Sequence, residues 1–376
     1  MIDTQLIMLE GLPSTGKSTN SDFLRMQLER NGKKVKWIHE VTRPQPTQFF
    51  SEACFSRDEY EMFLKAHPES AHVLDSIAVF RKNTVGIDLL EIEWNHADDI
   101  SESVFDAIKQ HDMWNCTLDK YKEAAIDKWE HFAETAMQDK GTIYILDSSI
   151  FQAQIFPFLW ENAGYERLEI FVNKLCEIVK RMNPSLIYLY RENAEDTIDY
   201  LEKERGTQWL KNTWERDKSR PYYQGRSKSA EEFKQFLRDY ANYAGLLFNS
   251  IDLGDCRKIS VEISKSDWAS YENKMLSFLE IENIQSPEFF PPNGVYRNEE
   301  LSYEITVDGL MITDPDGNNK KLTPKTANEF YAECLPMILR FEDYEDFEDS
   351  ERIIMTGTQI NARWSTTGIV YKKSSK

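Results

Sequence analysis

Short apolar runs alternate with segments of helical periodicity over most of the chain. Three segments, 18–30, 166–182 and 267–279, have the apolar spacing of helices that pack on a core. The apolar runs that predict strands of one parallel sheet are 5–10, 35–39, 142–147, 185–190 and 258–263. This rhythm predicts an α/β fold with a doubly wound parallel sheet.

Two long segments interrupt this rhythm. Residues 41–140 are predicted to form a mostly helical insertion, because aromatic and aliphatic residues recur there at helical spacing from 103 to 138. Residues 194–245 are highly charged and helical, with basic side chains concentrated in their middle. We expect residues 200–228 to form a basic lid that closes over bound phosphates. The alternative is a solvated helical face, since glutamates are interleaved with the cations.

The composition changes at residues 285–292, where two adjacent prolines oppose both helix and central strand. We therefore expect a linker between a domain at 1–284 and a small β-rich domain at 285–376. The observations behind the second domain are alternating runs at 301–307 and 309–312 and a turn at Asp314–Gly317. A spaced pattern from Gly294 to Phe330 resembles small β-barrel-like modules appended to some bacterial hydrolases. That resemblance implies a module for packing, homodimerisation or binding of a partner protein, without chemistry of its own.

The stretch from Gly11 to Ser18 matches the phosphate-binding P-loop pattern G-x-x-x-x-G-K-[ST] and lies between a predicted strand and a predicted helix. Its glycines let backbone N–H groups point at an anion, and the helix N-terminus adds partial positive charge. Lys17 is expected to reach the outer phosphates, and the Ser18 hydroxyl to ligate Mg²⁺. With no N-K-x-D motif of the GTPase type, we expect ATP as the nucleotide. The predicted nucleotide-binding residues are Gly11, Pro13, Ser14, Thr15, Gly16, Lys17, Ser18 and Thr19.

Two acidic residues end predicted strands at the edge of the sheet where ligands bind. Glu40 follows the second strand, and a carboxylate there could accept the proton of an attacking hydroxyl. Asp147 closes an apolar strand and is predicted to hold Mg²⁺ with Ser18. The simpler alternative for Glu40 is a solvated strand end. Burial of an uncompensated acid is costly, which makes that alternative weaker for Asp147.

Charge and composition narrow the classes of function. The formal net charge is −19, which argues against a broad nucleic-acid surface. No apolar run approaches a membrane span, and the first residues lack the features of a secretory signal, so we expect a cytoplasmic protein. The five scattered cysteines are expected to be reduced thiols, and the acidic run 342–351 a solvated loop.

The order of these motifs resembles that of the P-loop nucleoside and nucleotide kinases, deoxynucleoside kinases and thymidylate kinase among them, over about residues 5 to 282. In that group the second strand ends in an acid, here Glu40. A later strand ends in acid-Arg-Ser, a place taken here by Asp147, Ser148 and Ser149. The passage from Pro184 to Arg205 matches the family's strand, arginine, helix and basic lid. The resemblance implies that Arg191 contacts the nucleotide and that Arg205 stabilises the transferring phosphoryl group.

Two departures from the family leave the identity of the phosphoryl acceptor undetermined. Ser148 stands where the family has arginine, and the insertion is longer than a compact kinase needs. In the family, helices at this position line the acceptor pocket. The insertion residues that could contact a planar or sugar-like acceptor are Trp114, Asn115, Tyr121 and Trp129, with His111 as a weaker candidate. Most aromatic residues there are expected to be core.

The sequence therefore predicts an ATP- and Mg²⁺-dependent phosphotransferase acting on a hydroxyl or phosphate of a small molecule, nucleoside- or nucleotide-like. One alternative is an NTP-dependent switch or regulatory ATPase with the C-terminal domain as its effector. Another is a polynucleotide or tRNA-end kinase, which the acidic charge disfavours.

Overall fold

The computed structural model describes residues 3–253, 257–342 and 352–374. Cys256 and residues 343–351, which include most of the acidic run, lie outside the described residues. In chain order, the elements of the first part are β1 (Leu6–Gly11), α1 (Lys17–Arg30), β2 (Lys34–Ile38), β3 (Glu52–Ser56), α2 (Arg57–Ala66), α3 (Ala71–Ile77), β4 (Val79–Phe80), β5 (Thr84–Asp88), α4 (Leu89–Asn95), α5 (Glu102–Lys109), α6 (Leu118–Gln138), β6 (Thr142–Asp147), α7 (Gln152–Trp160), α8 (Tyr165–Val179), β7 (Ser185–Tyr190), α9 (Ala194–Arg205), α10 (Thr207–Asp217), α11 (Glu231–Ser250), β8 (Lys258–Glu262) and α12 (Trp268–Leu279).

A five-stranded parallel sheet in the order β2-β6-β1-β7-β8 organises this part of the chain. Alternate residues of β1 face opposite sides, as they do in any strand. Leu6 and Met8 contribute to a core with α6, α7, α8 and α11, whereas Ile7 and Leu9 pack with α1 and α12. Helices therefore cover both faces of the sheet. The predicted α/β class and the five predicted strands are confirmed, with ends shifted by a residue or so.

The register of β1 with its two neighbours places the C-terminal ends of β1, β6 and β7 side by side. Leu9 pairs with Asp147 of β6, and Gly11 pairs with Leu189 of β7. Because all three strands are parallel, the loops after them open at the same edge of the sheet. The P-loop, Asp147 and the segment after β7 are therefore neighbours.

The insertion is helical, as predicted, but it also holds a small antiparallel sheet in the order β3-β5-β4. This sheet was not predicted, because its strands are short and lie between stronger helical patterns. Its core includes Phe55, Val85 and Ile87. Beside it lies a buried ionic cluster in which Glu52 accepts hydrogen bonds from Arg81 and Lys128.

The C-terminal part is a closed antiparallel barrel, a more definite architecture than the β-rich domain that the sequence predicted. Its order is β10-β11-β12-β13-β14-β15-β16-β9, and the pairing of β16 with β9 closes it. Among the described residues, fourteen buried side chains, including Tyr296, Phe330 and Tyr371, form the core of the barrel. The strands are β9 (Gly294–Asn298), β10 (Tyr303–Asp308), β11 (Met311–Thr313), β12 (Asn319–Pro324), β13 (Glu329–Ala332), β14 (Met337–Glu342), β15 (Arg352–Gly357) and β16 (Val370–Lys373).

Two further sequence predictions bear on this part. The turn predicted at Asp314–Gly317 joins β11 to β12, with Gly317 N–H donating to the Asp314 carbonyl at 2.9 Å. The predicted linker at 285–292 has no helix or strand. Across the described ranges of the chain, none of the helices combines the length and apolar character that crossing a bilayer requires.

Candidate active site

The loop from Gly11 to Gly16 forms a tight cradle that only glycine permits at its two ends. A Cβ at Gly11 would lie 2.4 Å from the carbonyl oxygen of Leu189, too close for any side chain. Gly16 has φ of 81° and precedes α1, and a Cβ there would lie 2.9 Å from Cη2 of Trp268. Both glycines allow the tight backbone curl that a phosphate-binding loop requires.

Lys17 lies at the first position of α1, and its ammonium group is turned into this cradle. Nζ donates to the carbonyl of Leu12 at 2.9 Å, and only 7% of the residue is exposed. Among the described residues, Lys17 has no carboxylate within ion-pair distance. A buried cation next to a helix N-terminus fits an anionic ligand, since both favour negative charge at this point.

Ser18 and Asp147 meet directly beneath the cradle. The Ser18 hydroxyl donates to Oδ2 of Asp147 at 2.7 Å, and the Ser148 hydroxyl donates to Oδ1 at 2.8 Å. Asp147 is fully buried, and Nε2 of His39 lies 4.0 Å from its Oδ2. A hydroxyl and a carboxylate are hard oxygen donors of the kind Mg²⁺ prefers.

These two side chains fit a magnesium site that is completed from outside the protein. Within the described part of the chain, no group of three or more His, Cys, Asp or Glu side chains could hold a metal. Mg²⁺ commonly keeps several waters and binds through one or two protein oxygens plus substrate phosphates. The Ser18 hydroxyl and the Asp147 carboxylate would supply one or two such protein oxygens.

Glu40, just after β2, is half-buried and lines the same cavity as Lys17 and Ser18. Its Oε2 accepts a hydrogen bond from Nε2 of Gln152 at 3.2 Å. Gln152 is the first residue of α7, and nothing in the sequence marked it as a site residue. Its contact with Glu40 arises only from the packing of α7 against the loop after β2.

Glu10, the residue before the P-loop, was also missed by the sequence analysis. It is fully buried, and its carboxylate accepts hydrogen bonds from the backbone N–H of Ile150 at 2.6 Å and of Gln152 at 3.3 Å. Burial raises the pKa of Glu10 to about 7, although these hydrogen bonds and the nearby Lys17 act to lower it. Glu10 thereby joins the strand of the P-loop to the start of α7.

A cavity of about 510 Å³ extends from the P-loop between the insertion and the basic segment. At one end it is lined by Pro13, Ser14, Gly16, Lys17, Ser18, Thr19 and Glu40. The aromatic residues along its walls are Phe49, Phe50, Trp114, Tyr121, Phe156, Trp160, Trp209 and Phe233. Its volume is in the range of pockets that enclose a small organic ligand.

Three arginines of the predicted lid line this cavity, and each guanidinium lies over a tryptophan ring. Arg205 is 5.0 Å from the ring centroid of Trp209, Arg216 is 4.5 Å from that of Trp114, and Arg220 is 4.7 Å from that of Trp160. The Asp217 carboxylate accepts two hydrogen bonds from Arg216, and the Trp114 carbonyl accepts one from Arg220. Among the described residues, neither Arg205 nor Arg220 has a carboxylate within ion-pair distance, whereas Arg216 is paired with Asp217.

Some predicted site residues lie away from the cavity. Arg191, at the end of β7, donates to the Thr197 hydroxyl at 3.3 Å and does not line the cavity. Trp129 is fully buried in the core on one face of the main sheet and does not line the cavity. His111 is stacked on Phe55 with ring centroids 3.9 Å apart. Asn115 is also absent from the cavity lining, whereas Trp114 and Tyr121 line it as predicted.

A scan against protein-family models and a search of curated proteins both find no match for this chain. The parallel five-stranded sheet is consistent with a Rossmann-like or P-loop-like fold. The function must therefore be argued from the site itself.

Proposed function

We propose that this protein is an ATP- and Mg²⁺-dependent kinase that phosphorylates a hydroxyl or phosphate group of a small molecule. The observation that carries the proposal is the shared cavity: the P-loop residues Lys17 and Ser18 line it together with Glu40 and Arg205. A donor-binding loop, a base and a cation around one space are the parts that phosphoryl transfer needs. The motif order adds the resemblance to nucleoside and nucleotide kinases.

The donor half of the site would use the P-loop. Its backbone N–H groups and Lys17 would bind the outer phosphates, and Ser18 would hold Mg²⁺ directly. Asp147, already hydrogen-bonded to Ser18 at 2.7 Å, would act on the metal through water. When bound, Mg²⁺ supplies positive charge to the phosphate oxygens.

The acceptor half would use Glu40 as general base. Glu40 would take the proton of the acceptor hydroxyl as that oxygen bonds to the terminal phosphorus and the bond to the leaving ADP oxygen breaks. Gln152 would orient the Glu40 carboxylate through its hydrogen bond of 3.2 Å. Arg205 would stabilise the negative charge on the transferring group, since it lines the same cavity.

The cavity walls favour an acceptor with a flat ring. Seven indole and phenyl side chains are among the residues that line the cavity, and aromatic rings interact favourably with a planar group. Arg216 and Arg220 add hydrogen-bond donors beside that surface. A nucleoside, a nucleotide or an aromatic hydroxylated compound combines these features.

The test is a screen of nucleosides, nucleotides and hydroxylated antibiotics with purified protein, ATP and Mg²⁺, measured as ADP release and as phosphorylated product. We expect an acceptor-dependent rate, and we expect Lys17→Ala to abolish it while the exposed Lys36→Ala on β2 leaves it unchanged. ADP release that no acceptor stimulates, with no phosphorylated product, would contradict the kinase proposal.

One observation favours the switch alternative as a second candidate. The barrel contacts α1, the helix that begins at the P-loop: the Tyr331 hydroxyl donates to Glu29 at 2.7 Å. A switch would hydrolyse ATP slowly without product and would change the rate of proteolysis near Ser286 when ATP binds. The third alternative, a polynucleotide kinase, requires salt-dependent binding of short oligonucleotides.

A further inference from the structure

The barrel is attached to the P-loop helix through buried polar contacts. Glu29 of α1 accepts a hydrogen bond from the Tyr331 hydroxyl at 2.7 Å and pairs with Lys325 at 3.2 Å. The guanidinium of Arg25 lies 4.5 Å from the ring centroid of Tyr331. The backbone N–H of Cys334 donates to Oδ2 of Asp22 at 3.0 Å. These contacts hold one surface of the barrel along α1.

The groups in this interface are too deeply buried for a loosely attached domain. Asp22, Arg25 and Tyr331 are 4%, 3% and 2% exposed. Buried charges are tolerated only when they are paired and hydrogen-bonded, and here the Asp22 carboxylate has Arg25 on one side and the Cys334 N–H on the other. Because the barrel supplies part of that compensation, we expect it to stay docked on α1.

A second surface of the barrel holds the backbone directly after Glu40. Asn361 N–H donates to the Val41 carbonyl at 3.1 Å, and Arg43 N–H donates to the Gln359 carbonyl at 2.9 Å. These bonds form an antiparallel bridge between Thr42 and Ile360, which are 3% and 2% exposed. Among the described residues, the β-bridge of segment 41–43 is made to the barrel, which therefore provides its pairing.

A side-chain contact supports the same segment from the insertion. Nη2 of Arg363, in the barrel, donates to the Trp94 carbonyl at 2.7 Å. The Trp94 ring lies 4.1 Å from the guanidinium carbon of Arg43, and Nε of Arg43 donates to Asp88 at 2.8 Å. The barrel, the insertion and the segment after Glu40 are thus joined around one arginine.

We propose that the barrel is a positioning element of the active site, which fixes Glu40 relative to the P-loop by holding α1 and residues 41–43 at once. The role assigned to Glu40 rests on the kinase function proposed above. The physical reason is that Glu40 lies in a loop segment, outside any helix or strand, between β2 and β3. Displacement of a catalytic group by about 1 Å costs on the order of 10²-fold in rate.

The test compares two substitutions at the same exposed residue. Asn361→Pro removes the N–H that bonds Val41, whereas Asn361→Ala keeps it. We expect Asn361→Pro to lower kcat about tenfold or more with the Kd for ATP within about twofold of wild type. Asn361→Ala should match wild type in both. If the Asn361–Val41 hydrogen bond only stabilised the fold, its loss would not lower kcat while leaving the Kd for ATP unchanged.

Arg363→Ala and Arg363→Lys provide a second pair, in case the proline variant fails to fold. We expect the alanine variant to lower kcat about threefold to tenfold, with partial recovery by lysine. Equal kcat in folded Asn361→Pro and Asn361→Ala, or wild-type kcat in Arg363→Ala, would overturn the proposal.

Hydrogen exchange separates failure of this proposal from failure of the kinase function. If wild-type protein transfers no phosphoryl group to any acceptor, the kinase function fails. The inference that the barrel holds residues 41–43 then stands if Asn361→Pro speeds amide exchange at residues 41–43 and Asn361→Ala does not. It is overturned if the two variants exchange alike.

Discussion

The hydroxyl of Ser18 donates a hydrogen bond of 2.7 Å to the carboxylate of Asp147, although 129 positions separate the two residues in sequence. The bond joins the P-loop helix to the end of β6. It exists because β1 and β6 are neighbouring parallel strands with Leu9 and Asp147 in register. Two oxygen donors of the kind that Mg²⁺ prefers therefore meet at the edge of the sheet where the loops after β1 and β6 begin.

Asp147→Asn is expected to weaken the contribution of Mg²⁺ to ATP binding. The amide keeps the shape of the side chain but removes the negative charge that a metal or its water shell would contact. We expect the enhancement of ATP affinity by Mg²⁺ to fall about tenfold, which corresponds to about 1.4 kcal/mol. Calorimetric titration with ATP in the presence and absence of Mg²⁺ measures this. Ser148→Ala, which removes only the bond to Oδ1, serves as the control and should retain the enhancement.

Glu40→Gln is expected to lower phosphoryl transfer while leaving ATP binding within about twofold of wild type. Loss of a general base costs about 10²- to 10⁴-fold in rate. Glu161 offers a matched control, because it is a second carboxylate in the lining of the same cavity but is exposed. Glu161→Gln should retain most of the activity. Equal losses in the two variants would show that cavity charge, rather than a base at Glu40, supports the reaction.

Glu10 is expected to make stability fall as the pH rises. Its pKa is raised from 4.5 to about 7 in the folded protein, so the folded state binds more protons than the unfolded state between these values. The free energy of unfolding therefore decreases through that window, by roughly 3 kcal/mol in total. In Glu10→Gln this contribution is absent, and urea unfolding at pH 5, 6, 7 and 8 should show a smaller decrease than in wild type.

The prediction for Glu10 is checked by subtracting the free energy of unfolding of Glu10→Gln from that of wild type at each pH. That difference removes the contributions of other titrating groups, which are the same in both proteins. Parallel curves from pH 5 to 8 would mean that the Glu10 carboxyl titrates near its ordinary value, and the prediction would be wrong.

Lys128→Met is expected to destabilise the insertion strongly. Lys128 and Arg81 both contact the buried carboxylate of Glu52, and they lower the pKa of Glu52 although burial acts to raise it. Removing one partner from a buried ion pair typically costs about 3–5 kcal/mol. Thermal and urea unfolding measure the loss. Lys122→Met on the same helix removes a pair with the exposed Asp119 and should change the unfolding midpoint little.

Much of the sheet could be predicted because each strand carries a local signal. The run 142–147 was predicted as a strand and is one, and the P-loop pattern fixed both the turn after β1 and the start of α1. Glu40 and Asp147 could be singled out because an acid at the end of an apolar strand is a local feature. Arg205 belonged to a visible cluster of basic residues, and it lines the cavity.

The small sheet of the insertion could not be predicted in the same way. Strand β4 has two residues, Val79 and Phe80, and its pairing with β5 depends on contacts that no local pattern shows. Gln152 was missed because a polar residue at the start of a helix gives no sign of its partner. Glu10 also ends an apolar strand, but its contacts with the start of α7 come only from the packing of α7 next to the P-loop strand.

The sequence by itself determined the strands of the main sheet, several of its helices and the position of the P-loop motif, because apolar runs, helical spacing and glycine positions are properties of neighbouring residues. The tertiary structure alone decided which residues share the cavity and that a closed barrel holds both α1 and the backbone after Glu40. The physical reason is that these relationships join positions far apart in the chain, such as Val41 and Asn361, and depend on packing between complete elements.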